Sequence, residues 1–214
     1  MYLPAHFEET RTAVMHDLLR AHPLATWVVQ SADGLVVNHI PFLVDADRGP
    51  HGTLVGHVAR ANPVWKQLGT SVAVFQGPQA YVSPNWYPTK HAHGKAVPTW
   101  NYAVVHAHGT PRAIDSRDAL LNIVTRLTGV HEAGQAAPWA VSDAPADYLE
   151  QMLKAIVGIE MPIERLVGKW KVSQNRSEAD RLGTVAGLRH QGDAQSVAMA
   201  ALVAARPEPA SGDR

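Results

Sequence analysis

Apolar residues recur at helical spacing over residues 8–21, where Val14, Met15, Leu18 and Leu19 fall on one face and Pro23 ends the run. The pattern then changes period. Residues 24–30 and 35–42 are rich in β-branched and aromatic side chains, and Asp33-Gly34 between them carries the signal of a tight hairpin. A loop over 45–52 leads to a strand over 53–57. Asn62-Pro63 then predicts a helix start, with Asn as N-cap and Pro at the first helical position, running to about residue 68. A strand over 71–76 is expected to resume at 80–83 after Gly77-Pro78. Residues 84–98, dense in Pro, His, Lys and aromatics, read as a long exposed loop, and 99–108 return to strand.

Helices are predicted from Asp115 or Ser116 to about residue 130, with Leu120, Ile123, Val124 and Leu127 on one face, and again after Pro145. Residues 156–165 alternate as a strand, and 168–175 as another. Two helical segments follow over 177–189 and 193–205, then a tail, 206–214, whose composition predicts disorder. Six or more strands interrupted by helices imply a mainly β, α+β domain built as a small barrel with flanking helices. The expected division is a barrel domain over 1–176, a helical extension over 177–205 and the tail.

The charge balance is even, with 19 Lys and Arg against 19 Asp and Glu. A chain that grips duplex DNA through its phosphates usually carries a basic surplus, so overall charge gives no support for DNA binding. The absence of cysteine removes disulfides, zinc–thiolate centres and thiol nucleophiles. The opening residues have neither a basic nor an apolar leader region, and the most apolar stretch, 197–205, is too short to span a bilayer. A cytoplasmic protein without a membrane segment is the expectation. Gly-rich dinucleotide and Walker-type phosphate loops are absent, as is a nucleophile elbow.

Four stretches could carry chemistry. Gly56-His57-Val58-Ala59-Arg60-Ala61-Asn62-Pro63 places His57 and Arg60 beside a capped helix start, where backbone N–H groups suit a phosphate; an ordinary capped helix with a surface arginine accounts for it equally well. Trp86, Tyr87, Trp100 and Tyr102, with Asn85, Thr99 and Asn101, could sandwich a flat heteroaromatic ring or simply pack a core. Gly168-Lys169-Trp170-Lys171-Val172-Ser173-Gln174-Asn175 sends Lys169, Lys171 and Ser173 to one face, either an anion-binding lining or the solvated side of an edge strand. His91 with His93, and His106 with His108, stand at i, i+2 spacing that a transition metal could use, with no carboxylate placed to complete a shell.

Taken in order, these stretches resemble the PaiB-type FMN-binding negative transcriptional regulators. The matching segments are Met1-Tyr2 with Pro4, His6-Phe7, His22-Pro23-Leu24-Ala25-Thr26, Asn38-His39-Ile40-Pro41-Phe42, residues 56–63, Phe75-Gln76-Gly77-Pro78, Tyr81 with Ser83-Pro84 and Trp86-Tyr87, 97–102, Ile156-Val157-Gly158-Ile159-Glu160 and 168–175. The resemblance runs from residue 1 to about 176. It implies an FMN-binding split β-barrel of the kind shared with flavin reductases and pyridoxamine-phosphate oxidases, assembled as a homodimer with FMN at the subunit interface. It further implies that Asn38, His39 and Ile40 meet the flavin ring and that His57, Arg60 and Asn62 hold the phosphate. Lys169, Gln174, Trp86 and Trp100 are further contacts it suggests. A regulatory role, and DNA as a partner, follow from the family alone; a flavin-dependent oxidoreductase using the same pocket is the alternative, with a haem- or metal-binding barrel behind it. Trp27 departs from the pattern, standing where a smaller aliphatic is expected, and would crowd the pocket if it faced the flavin.

Overall fold

A computed structural model describes residues 1–205, so the tail expected to be disordered lies outside the described residues. After a 3₁₀ turn, the chain forms β1 (Glu8–Glu9), α1 (Thr12–Ala21), β2 (Leu24–Ser31), β3 (Gly34–Pro41), β4 (Leu43–Asp45) and β5 (Thr53–Ala59). A 3₁₀ turn, Pro63–Lys66, precedes β6 (Ser71–Val82). Another, Pro84–Trp86, precedes α2 (Pro88–His93), β7 (Thr99–Gly109), β8 (Arg112–Ile114) and α3 (Arg117–Glu132). The 3₁₀ turn Val141–Asp143 leads to α4 (Ala146–Lys154), β9 (Ile156–Pro162), β10 (Arg165–Lys171), α5 (Glu178–Gln191) and α6 (Ala194–Ala204).

The chain divides into two compact units, each assembled from separate segments. One comprises Met1–Leu18, Gln76–Val105 and the chain from Val167 on; the other comprises Leu19–Phe75 and His106–Leu166. The long strands β6 and β7 each begin in one unit and end in the other.

In the second unit, β2 and β3 pair through the whole predicted hairpin, from Leu24 opposite Pro41 to Ser31 opposite Gly34. Gly34 takes φ 113°, which only glycine adopts freely. One face of the hairpin, including Ala25, Trp27, Val29 and Ile40, is buried. Trp27 is 0% exposed and packs edge-on against Phe42, so it belongs to the core. A separate antiparallel sheet runs in the order β4-β5-β9-β8. Leu43, Val55, Ile123 and Leu127 seat α3 upon it, with Ile114 packed against them. Gly158 permits that approach, because a Cβ there would come within 2.8 Å of Ile123 Cδ1.

An ion network ties the same unit together. Arg126 of α3 pairs with Asp45, which also meets Arg48, and Arg48 and Arg112 share Glu160. Burial alone would raise the Asp45 carboxyl, but the hydrogen bonds and charges of Arg126 and Arg48 outweigh it and hold its pKa below the ordinary value. A depressed carboxylate pKa stabilises the fold above the unfolded value and loses that contribution as pH falls through the folded one. Denaturant titration is therefore expected to show stability falling below about pH 4, and Asp45→Asn should flatten that fall. An unchanged acid limb in the variant would remove Asp45 as its source.

In the first unit the strand order is β1-β10-β7-β6, with Glu8 opposite Lys169 and Glu9 opposite Gly168. Three sequence expectations are corrected here. Residues 8–11 are not helical: Glu8 and Glu9 form a short strand, and Glu9 is buried in a two-pronged pairing with Arg11. The strand expected to break at Gly77-Pro78 runs unbroken, Gly77 fitting where a Cβ would lie 2.8 Å from Leu18 Cδ1. The loop over 84–98 contains α2, which ends on Gly94 in the left-handed conformation. The C-terminal helices also pack in this unit. A Cβ on Gly183 or Gly187 of α5 would meet the Trp86 carbonyl or indole at 2.0 and 2.2 Å, so these two positions form the bed on which Trp86 lies.

Candidate functional site

The predicted site residues fall into two groups, one in each unit. In the second unit, Asn62 Nδ2 donates to Asn38 Oδ1 at 2.7 Å, while Asn62 Oδ1 accepts from Val64 N at 3.1 Å. Asn38 keeps its own Nδ2 buried without a partner. His39 Nδ1 lies 3.3 Å from Thr26 Oγ1 on the exposed face of the hairpin, and Ile40 is buried.

The helix expected after Asn62 is only a 3₁₀ turn of four residues. Its start offers little to an anion, since Pro63 has no N–H and Asn62 takes that of Val64. Arg60 is likewise occupied. Nε donates to Lys154 O at 2.7 Å, Nη1 to Asp115 Oδ2 at 3.1 Å, and Nη2 to both Asp115 Oδ1 and Ile156 O. The hydrogen bonds to Asp115 raise the Arg60 pKa, and those from Arg60 lower that of Asp115. A phosphate would have to displace a carboxylate already held by both arms of the guanidinium. His57 has no hydrogen bond; burial lowers its pKa, so a neutral ring, a poor phosphate ligand, is favoured. Arg60 and Asn62 are thus each engaged within the chain, and the buried Nδ1 of His57 is without a partner.

The second group is in the first unit. Lys169 is only 6% exposed. Its ammonium donates to Tyr2 O at 2.9 Å and lies 5.7 Å and 5.4 Å from the ring centres of Tyr2 and Tyr102. Lys171, on the same face of β10, donates to Thr99 Oγ1 and, at 2.9 Å, to Trp100 O. Burial is the main cause pushing the Lys171 pKa down; Tyr102 opposes it, and the charges of Lys169 and Arg176 add to it. Among the described residues neither ammonium has a carboxylate in its ion pairs, and Glu8, opposite Lys169 in the sheet, makes none with it. Two adjacent cations satisfied by neutral carbonyl, hydroxyl and ring partners form an electrostatic deficit that an anion would relieve.

Around them Asn101 Nδ2 donates to buried Ser173 Oγ at 2.9 Å, and Ser173 takes a left-handed φ of 65°. Gln174 closes this turn on itself, donating to Trp170 O and accepting from Val172 N at 2.8 Å. Its amide is therefore committed to the end of β10 and the turn that follows. Trp100 is half exposed and meets the half-exposed Tyr81 edge to face, with ring centres 6.2 Å apart. Trp86, in contrast, has a face covered by α5.

His106 and His108 lie close, 6.1 Å between ring centres, and burial lowers the pKa of each. Among the described residues no group of three or more His, Cys, Asp or Glu side chains is placed to hold a metal. No helix among them is long and apolar enough to cross a membrane.

The arrangement of antiparallel sheets with flanking helices is that of flavin-binding split-barrel proteins. The chain matches the FAD and haem binding protein of Mycobacterium smegmatis with a TM-score of 0.57 at 19% identity, over 77% of this chain and 73% of that one. It matches the flavocytochrome Anf3 of Azotobacter vinelandii with a TM-score of 0.56 at 14% identity, over 82% and 75%. At these identities the likeness is one of fold. Residues 1–165 match the family model described as "Putative FMN-binding domain", and the chain belongs to that family. It is 28% identical to the Bacillus subtilis "Protease synthase and sporulation protein PAI 2", over 95% of this chain and 96% of that protein. It is 35% identical to the uncharacterized protein AN0679 of Emericella nidulans, over 97% and 98%. The PaiB-type resemblance read from the motifs is thereby shown, and FMN is the cofactor the family defines.

Proposed function

We propose that this chain is an FMN-binding module that works as a homodimer in regulation, holding the FMN phosphate at Lys169 and Lys171. The observation that supports it most is the pair of ammonium groups on one strand face with no carboxylate to neutralise them. Two hydrogen-bonding cations of this kind suit a phosphate dianion. The exposed Tyr81–Trp100 pair supplies an aromatic surface beside Lys171, whose ammonium already fixes the Trp100 carbonyl. Asn38, His39 and Ile40 of β3, which the family resemblance gives to the ring, are kept as proposed contacts, and the unpartnered Asn38 amide nitrogen supports Asn38 among them. When bound, FMN supplies the redox chemistry; the protein's part is to hold and orient it.

The surroundings favour holding over turnover. The two buried carboxylates of the first unit are committed elsewhere, Glu9 to Arg11 and Asp180 to the N–H and hydroxyl of Thr89. The partners of the two ammonium groups are carbonyls, a hydroxyl and rings.

The hairpin supports the dimer. Leu24, Leu35 and Val37 are 63%, 70% and 55% exposed on the outward face of β2 and β3, where a solvated strand would carry polar residues. The primary test is calorimetric titration of the purified chain with FMN, which should saturate near one FMN per chain. A chain that takes up no FMN would overturn the reading.

A further inference from the structure

His57 was expected at the phosphate, yet it lines a different space. Within the second unit, α3, the 3₁₀ turn Val141–Asp143 and α4 line a half-open cavity of about 250 Å³ over the strands, with His57 and Ile156 contributing from β5 and β9. Leu149 and Met152 of α4 line it, and the half-exposed Trp139 and Tyr148 lie at its margin. None of the lining residues other than His57 is ionisable near neutral pH, and His57 itself is held toward its neutral form by burial. The volume falls just below the roughly 300–1,000 Å³ of sites for drug-sized ligands, so it suits something smaller.

The imidazole makes this more than a greasy groove. His57 lines this cavity, and its Nδ1 is buried with no partner. The ring therefore has one hydrogen-bonding atom left to offer, and the space it lines is this cavity. An apolar wall with a single neutral polar group fixes the character of its ligand: flat, apolar and uncharged, with one group able to pair with an imidazole. A charged ligand would meet no counter-charge there, and the FMN phosphate is excluded for the same reason.

We infer that this cavity is a binding site for a small neutral aromatic molecule bearing one hydroxyl, held by the apolar walls of α3 and α4 and hydrogen-bonded to His57. Its lining shares no residue with the groups proposed for FMN, so binding there offers the flavin module a second input.

The probes are 2-naphthol, uncharged at neutral pH, and naphthalene, which lacks the hydroxyl, each titrated calorimetrically into the full chain. The expected result is saturable binding of 2-naphthol at one per chain, about tenfold tighter than naphthalene, as one buried hydrogen bond provides. His57→Phe should bind both with that preference erased. Leu149→Trp, which fills the space, should bind neither while still binding FMN as the unaltered chain does. Met152→Trp, at a more exposed position, provides the same block should Leu149→Trp fail to fold. Equal affinity for the two probes in the unaltered chain, or no binding of either, would overturn the inference. So would binding that survives both tryptophan variants. Loss of the dimer in Leu149→Trp without any uptake of 2-naphthol would make the cavity a contact between copies of the chain and overturn it equally.

Discussion

Replacing Lys169 and Lys171 together with methionine is expected to weaken FMN binding by at least two orders of magnitude, since each charge-assisted hydrogen bond to a phosphate contributes roughly 1.5–3 kcal/mol. Methionine keeps much of each side chain's length and apolar stem while deleting the ammonium. The Lys169 side chain is buried between Tyr2 and Tyr102, so the variant removes an unneutralised buried charge and should stay folded. Circular dichroism provides the check. Arg60→Ala is the informative companion. Its guanidinium is held by Asp115, Lys154 and Ile156, so the change should leave FMN affinity within about twofold, as a residue outside the site does. The opposite pattern, with Arg60→Ala losing FMN and the lysine variant keeping it, would return the phosphate to the motif at residues 56–63.

Val37→Glu is expected to convert the proposed dimer to monomer. Val37 lies across the hairpin from Val28 on the outward face, flanked by Leu35, so a carboxylate there disturbs nothing inside the chain. In a dimer it would place an unpaired charge in an apolar contact, a cost of about 3–5 kcal/mol or at least a hundredfold in association. Analytical ultracentrifugation checks it. A dimer that persists in Val37→Glu and in Leu35→Glu would remove this face as the interface.

The two predictions draw on different parts of the sequence signal. The hairpin could be read directly: Asp33-Gly34 marks the turn, and the flanking runs are rich in β-branched and aromatic residues. With Leu24, Val28, Leu35 and Val37 on the opposite face, however, only the structure assigns Ala25, Trp27 and Val29 to the buried side. Helix α3 was equally plain, because Leu120, Ile123 and Leu127 recur at its period and Ser116 caps it. Other elements carry no period of their own. Glu8 and Glu9 have little strand propensity and become a strand only because β10 lies beside them. Arg112–Ile114 is too short to alternate and is defined by its pairing with β9. The stretch expected as one strand over 156–165 turns at Ile163 and Glu164, whose amides bond Gly52 O and His108 O.

The candidate site shows the same division. Alternation correctly grouped Lys169 and Lys171 on one face, but could not distinguish a solvated edge from a buried one. Pairing with β1 and the return of Tyr2 over Lys169 decide that, and they involve residues 167 positions apart. The surroundings of Arg60 were hidden from local reading for a related reason. Read locally, it is a free guanidinium before a helix; in three dimensions Asp115, 55 residues later, has already claimed it. The cavity beside His57 had no sequence signal, since its walls come from α3, α4 and two strands that no local period connects.

The central claim, that this chain holds FMN through its phosphate, is tested most directly by titrating the purified protein with FMN and with riboflavin side by side. The account predicts saturation near one FMN per chain, with riboflavin bound roughly 10- to 100-fold more weakly for want of the phosphate. Equal affinities would contradict the phosphate site, and absence of saturable binding by either flavin would contradict the account as a whole.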